Sequence, residues 1–264
     1  MEPSRTTQPG APIISIRGLT LSFNNQEVLE GVDLDIPAGQ TLTVIGGSGC
    51  GKTVLLKCMI GLLKPDTGTV CFKGQDLSGL DRKSLVEART RFGMVFQGAA
   101  LFDSMTVGEN VGFPLREHTK LRGSELDAIV SQKLAQVGLA GVEGKLPEEL
   151  SGGMKKRVAL ARALAMDPEV ILYDEPTTGL DPVTAATINR LIVETHKSTG
   201  ATSVVVTHDM VSAYTISERI VMLHNGRIVA DDTPAGIRAA RNPVVRQFIE
   251  GLVEEPAEAG GGGK

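Results

Sequence analysis

Apolar and polar positions alternate along Ile13 to Phe23, Val28 to Ile36 and Thr69 to Lys73, with turn signals between them. This period of two predicts short antiparallel strands. Leu42 to Ile45, Val170 to Tyr173 and Val204 to Val206 are instead continuously apolar, as strands buried on both faces of a parallel sheet are. Helical segments separate these runs, so a mixed α/β sheet is expected. Ile220 to Leu223 and Ile228 to Ala230 flank Asn225-Gly226, a pair suited to the positive φ angles of a type I′ hairpin turn.

From about Ser104 to Leu150 the pattern turns helical. Leu126, Ile129, Val130, Leu134 and Val137 form one apolar stripe that Gly138 can close, and Ser124 to Asp127 fits a capping box. This reads as a helical insertion, about 98–165, within an α/β core. The first dozen residues, rich in Pro and Thr, and the last ten, EPAEAGGGGK, can bury almost nothing. Loose tails are expected at 1–12 and at the end of a C-terminal extension, 242–264, leaving 13–241 as the folded domain.

Composition narrows the function. The chain has 264 residues, 41% apolar and 22% charged, which suits one large or two small globular domains and excludes a fibrous or disordered chain. Aromatics are 3%, Trp is absent and the formal charge is -4. Neither a base-stacking surface nor a global basic field is present, which argues against nucleic acid as a partner. No run approaches the roughly 18 apolar residues of a membrane span, and the first dozen residues lack a signal-peptide core, so a cytosolic chain is expected. Cys50, Cys58 and Cys71 lack metal-ligand spacing and read as reduced thiols.

Three segments carry chemistry. Gly46-Gly47-Ser48-Gly49-Cys50-Gly51-Lys52-Thr53 follows the strand ending at Ile45 and opens a helix near Lys52, the P-loop pattern in its strand-loop-helix setting. Such a loop aims backbone N–H groups at phosphates, Lys52 reaches the β and γ phosphates, and Thr53 offers a hydroxyl to Mg²⁺. Cys50, at the helix N-terminus, is expected to have a lowered thiol pKa. Val170 to Glu175 is a buried strand ending in two carboxylates. Asp174 suits a Mg²⁺ shell and Glu175 the orientation of an attacking water. Leu150-Ser151-Gly152-Gly153-Met154 precedes the helical run Lys155 to Ala165, so a second helix N-terminus presents amides suited to an anion.

Together these motifs resemble the nucleotide-binding subunit of an ABC transporter, over nearly all of Ile13 to Arg241. The resemblance implies an α/β P-loop nucleotide-binding domain with a mixed core sheet, an antiparallel β subdomain and a helical insertion. It implies that Ser151, Gly152, Gly153 and Met154 belong to the signature motif, with Met154 departing from the usual Gln. Gln97 matches the Q-loop residue that touches Mg²⁺ and senses the membrane partner, and Asp181, in Gly179-Leu180-Asp181, matches the D-loop. His208 matches the switch histidine, and Phe23 stands where an aromatic stacks on adenine. Singly, Phe23 reads as well as a core residue, His208 as a strand cap and Gln97 as a loop residue. Their joint occurrence in family order carries the assignment.

The family function implied is ATP hydrolysis with Mg²⁺ by a head-to-tail homodimer, with Glu175, His208 and Lys52 catalytic. Gln97 through Val107 and Glu109 through Leu115, with Leu150 to Met154, Lys155 to Leu160 and Tyr173 to Asp181, resemble the Mla-type (MCE-associated) phospholipid transporter ATPases. That resemblance implies a transmembrane permease, an MCE lipid-binding protein, sometimes a STAS-domain partner, and a peripheral place on the cytoplasmic face of the inner membrane. It also places the apolar Ala99 to Phe102 run, too long to be wholly buried in the chain's own core, where the permease docks. The alternative is the ATPase of a small-solute importer. A DNA-repair ATPase of the superfamily would need a coiled coil between P-loop and signature, and a translation-factor ATPase a second cassette; neither pattern is present.

Overall fold

The computed structural model describes residues 12–251, so the loose tails expected at 1–12 and over the last ten residues lie outside the described residues, except for Pro12, which is part of the first strand. Alternation along the first two runs yields β1 (Pro12–Phe23) and β2 (Gln26–Pro37). They are joined across Asn24 and Asn25, both at positive φ, a conformation that asparagine tolerates and tight hairpins require. Then follow β3 (Thr41–Ile45), α1 (Lys52–Met59), β4 (Thr67–Phe72), β5 (Gln75–Asp76), α2 (Arg82–Arg89) and β6 (Phe92–Val95). Three helices come next, α3 (Val107–His118), α4 (Gly123–Gln136) and α5 (Gly152–Leu164). The chain continues through β7 (Val170–Asp174), α6 (Pro182–Thr199), β8 (Thr202–Thr207), α7 (Met210–Ile216), β9 (Arg219–His224), β10 (Arg227–Asp232), α8 (Pro234–Arg238) and α9 (Pro243–Glu250).

Two sheets result. The first is antiparallel, in the order β2-β1-β4-β5. The second runs β10-β9-β3-β8-β7-β6, parallel except for β10, which returns through the Asn225-Gly226 turn with both residues at positive φ. Every residue of β3, β7 and β8 is buried, which is why these strands read as continuous apolar runs. Their C-terminal ends lie side by side at one sheet edge, the edge where open α/β sheets bind ligands.

One core cluster joins β1, β2 and α1, with Ile14, Ile16, Leu55 and Met59 fully buried. A second packs α3, α4 and α5 against β7 through Val111, Leu134, Val158 and Tyr173. Each such buried aliphatic contributes roughly 1.5–3 kcal/mol. On α4, Leu126, Val130 and Leu134 are buried, with Val137 at its C-cap and Gly138 beyond at φ 68.

The capping box expected at Ser124–Asp127 is not formed. Gly123, at φ 57, makes the turn into α4 itself, and the extended residue before it, Arg122, makes no side-chain cap. Ser124 therefore falls inside the first helical turn. A complete box opens α3 instead, where Glu109 N–H donates to Thr106 Oγ1 at 3.2 Å and Thr106 N–H to Glu109 Oε2 at 2.8 Å.

Candidate active site

β3 delivers the chain to Gly46 at φ 154, where a Cβ would stand 2.2 Å from the Leu223 carbonyl oxygen on β9. Only glycine fits so close an approach. The loop then curls over its own lysine. Lys52 Nζ donates to the Gly46 and Gly47 carbonyls, both at 2.9 Å, and lies 3.8 Å from Glu175 Oε1. Lys52 is buried, so its charge is desolvated and aimed inward. Cys50 corrects the sequence expectation, because its thiol pKa is raised. Desolvation of the half-buried sulfur outweighs the opposing pull of Lys52 and of backbone N–H groups.

At the end of β7, Asp174 Oδ1 accepts from Thr53 Oγ1 at 2.8 Å, which joins strand end and P-loop helix. Glu175 follows with φ 48, a left-handed backbone that costs a non-glycine residue of order 1 kcal/mol or more and clusters at functional sites. Its N–H donates to Val206 O at 3.0 Å on β8. Its carboxylate is buried and converged upon: Thr178 Oγ1 donates to Oε2 at 3.0 Å, Thr207 Oγ1 at 3.4 Å, and His208 Nδ1 stands 2.9 Å away. A carboxylate fixed from three sides beside a lysine can hold a water and take its proton.

A cleft of about 300 Å³ gathers these groups, lined by Ser48, Gly49, Lys52, Thr53, Gln97, Glu175 and His208 among others. Phe23 is exposed at the end of β1 and does not line the cleft; Val28 of β2 does. Lys156, Thr178 and Thr207 also belong to this site, although nothing in the sequence assigns them a role there. Lys156 Nζ donates to the Gln97 and Glu175 carbonyls, the second at 3.3 Å. Its pKa is lowered by burial, against the attraction of Asp174 and Glu175. Its spacing from Ala159 and Leu160, both buried on α5, was the available signal, since residues three and four apart share a helix face.

Ser151 to Met154 and Asp181 lie outside this cleft. Ser151 is the N-cap of α5 and its Oγ accepts from Met154 N–H at 3.3 Å. Asp181 is the N-cap of α6, accepting from the Thr184 hydroxyl and from the N–H groups of Thr184 and Val183, bonds that hold its carboxyl below its usual pKa. Gly153 binds the two helix starts together, because a Cβ there would meet Thr184 Cγ2 at 2.5 Å. Both starts face outward, Ser151, Gly152 and Asp181 being exposed.

A separate apolar groove of about 620 Å³ is lined by Phe92, Phe96, Ala100, Phe102, Phe113 and Ala163, among others. Of the apolar run that ends there, Ala99 enters the core while Phe102 remains 43% exposed. Phe102 packs on Phe113 at 4.8 Å between centroids, with the Arg162 guanidinium 6.0 Å from its ring. Buried Asn110 pins the loop by accepting from Phe102 N–H and donating to Phe102 O.

Comparison with known proteins agrees with this geometry. The family model described as ABC transporter matches residues 29–178. The chain is 46% identical to the probable ribonucleotide transport ATP-binding protein mkl of Mycobacterium leprae (strain TN), over 92% of this chain and 70% of that protein. It is 39% identical to the intermembrane phospholipid transport system ATP-binding protein MlaF of Escherichia coli (strain K12), over 94% of this chain and 93% of that one. Among solved structures, the ATP-binding cassette MJ0796 in a dimeric post-hydrolysis state with ADP and Pi superimposes with a TM-score of 0.78 at 32% identity, covering 84% of this chain and 98% of that one.

Proposed function

This chain belongs to the ABC transporter ATP-binding family and is an ATPase, and we propose that its hydrolysis drives phospholipid movement between membranes through a separate permease. The observation that carries the lipid reading is the match to the phospholipid transport ATP-binding protein over almost the full length of both chains.

The donor set suits Mg²⁺. The Thr53 hydroxyl and Asp174 carboxylate are hard oxygens already 2.8 Å apart. Among the described residues no group of three or more His, Cys, Asp or Glu is placed to hold a metal. A site with one carboxylate suits Mg²⁺, which completes its shell with neutral oxygens, water and substrate phosphates. Thr53, Asp174 and Gln97 would hold it, and Mg²⁺ when bound neutralises phosphate charge. Gly46 to Thr53 bind the phosphates through backbone amides, and Lys52 stabilises the charge that develops on the transferred group. Glu175 orients the attacking water and takes up its proton at a carboxylate oxygen while the new bond to the γ phosphorus forms and the bond from that phosphorus to the bridging oxygen breaks, leaving ADP and phosphate. His208 holds that carboxylate and faces the γ phosphate. Phe23 stacks on the adenine.

Two anion-binding helix starts lie in separate places on one chain, and pairing two copies head to tail uses both. In that dimer Ser151, Gly152, Gly153, Met154 and Asp181 of one copy close over the nucleotide held by the P-loop of the other. The dimeric cassette structure supports this arrangement. None of the helices among the described residues is long and apolar enough to cross a membrane. The permease docks on the Phe102 groove, at the cytoplasmic face of the inner membrane, and an MCE lipid-binding protein and a STAS-domain protein complete the complex.

The ribonucleotide named for the mycobacterial relative favours a second reading, a small-solute importer. Reconstituting the chain with its permease and offering labelled phospholipid beside labelled ribonucleotide separates the two. The lipid reading predicts ATP-dependent lipid transfer with no nucleotide uptake; nucleotide uptake without lipid transfer overturns it.

A further inference from the structure

Lys156 is 7% exposed, in the second turn of α5. Among the described residues it forms no ion pair. A buried ammonium costs several kcal/mol unless its donors are used, and an apolar side chain would fill the same space at less cost. Its donors go to two backbone carbonyls, those of Gln97 and Glu175. These residues come from different strand ends, β6 and β7, and both line the phosphate cleft. One ammonium therefore bridges the main chain at Gln97 and at Glu175.

The grip extends along the helix. Six residues on, Arg162 donates to Ala99 O at 2.8 Å and Ala100 O at 2.6 Å. Ala99 and Ala100 stand at φ 64 and 49, a left-handed backbone that alanine adopts only when the surroundings impose it. Through two side chains α5 holds three carbonyls of 97–100 and one of the β7 end. The same helix begins at Ser151, which the dimer reading places against the nucleotide of the other copy.

We propose that Lys156 is a positioning residue, the link through which α5 holds Gln97 and Glu175 in register for hydrolysis. The proposal rests on the reading of Glu175 as the base. Loss of Lys156 frees the Gln97 and Glu175 backbones from each other while leaving the P-loop intact, so turnover falls and nucleotide affinity does not.

The test uses the full chain carrying K156M, K156Q or K156R, with E175Q alongside. Each is measured for melting temperature, ATP affinity by equilibrium binding, and steady-state kcat and KM. K156M is expected to melt near the parent, to bind ATP within about twofold, and to lose about tenfold or more in kcat. K156R keeps charge and several donors and is expected to recover kcat to within about threefold; K156Q, with a shorter uncharged donor, falls between. Should K156M not fold, the order K156R above K156Q at constant KM decides. The proposal is overturned by parental kcat in K156M or K156Q, by K156R as slow as K156M or, where K156M does not fold, as slow as K156Q, or by kcat, affinity and melting temperature falling together in K156Q. If E175Q turns over ATP at the parental rate, the reading of the base fails first and the proposal with it; E175Q inactive beside fully active K156M rejects Lys156 alone.

Discussion

His208 Nδ1 stands 2.9 Å from Glu175 Oε2, the oxygen that also accepts from Thr178 and Thr207. The histidine reaches in from the loop after β8 and is half exposed, while the carboxylate at the end of β7 is buried. The proposed switch residue and the proposed base are thus in direct contact. His208→Ala leaves both hydroxyl donors and the P-loop in place. We expect kcat to fall about 10- to 100-fold, within the range typical of acid–base groups, with ATP affinity changed by less than about threefold. Steady-state kinetics beside equilibrium ATP binding checks this, and equal losses in both would refute it.

Gly153 meets Thr184 so closely that an added Cβ would lie 2.5 Å from Thr184 Cγ2. Gly153→Ala should cost about 1–3 kcal/mol, the usual penalty of overpacking, and Thr184→Ser, which removes the opposing methyl, should restore most of it. Chemical denaturation of both single variants and the double variant measures the coupling. Simple additivity would show that the two helix starts are not in register through this contact.

Burial raises the Cys50 thiol above its ordinary range and pushes Cys58, on the inner face of α1, up to about 11. A thiol pKa higher in the folded state than in the unfolded state, near 9, means that the folded chain holds its proton longer. Its contribution to stability is complete below about 9 and is lost as pH rises toward about 11. Cys58→Ala should therefore flatten the decline of unfolding free energy over that window. For Cys50, maleimide labelling near neutral pH should be slower than for an ordinary exposed thiol and should accelerate with rising pH. Mass-spectrometric labelling rates follow both cysteines, and fast labelling of Cys50 at pH 7 would contradict the burial argument.

Local chemistry made much of the molecule legible in the sequence. Gly46 to Thr53 and Asp174-Glu175 depend on short-range geometry, a strand end followed by a tight loop, and β3 and β7 deliver them together. Asn225-Gly226 is legible because two adjacent positive φ angles restrict residue choice. The α4 start was misread because Gly123 performs by backbone conformation what Ser124 was expected to do by side chain. Cys50 was misread because a helix N-terminus is visible in sequence and desolvation is not. Lys156 was missed for a related reason. Its partners are main-chain carbonyls of Gln97 and Glu175, distant in sequence, and a carbonyl carries no residue identity for a pattern to reveal.

Phe102 is exposed beside an apolar groove, yet its backbone is pinned at both N–H and C=O by Asn110. Phe102→Ala should leave the loop and the phosphate cleft intact. If the groove receives the permease, the substitution should weaken docking by roughly 2 kcal/mol, as loss of a central aromatic anchor does, with ATP affinity of the free subunit unchanged. Co-purification with the permease and ATP binding by the isolated chain are the two measurements. Undiminished co-purification would move the docking surface elsewhere.

Glu175→Gln decides whether the cleft between the P-loop and the end of β7 hydrolyses ATP with Glu175 acting on the water. The amide keeps the shape and can still meet hydroxyl donors, but it cannot take a proton. This variant should bind Mg-ATP with the parental affinity, lose at least about 100-fold in single-turnover rate, and elute as a dimer in chromatography with Mg-ATP. Turnover at the parental rate would contradict that role for Glu175.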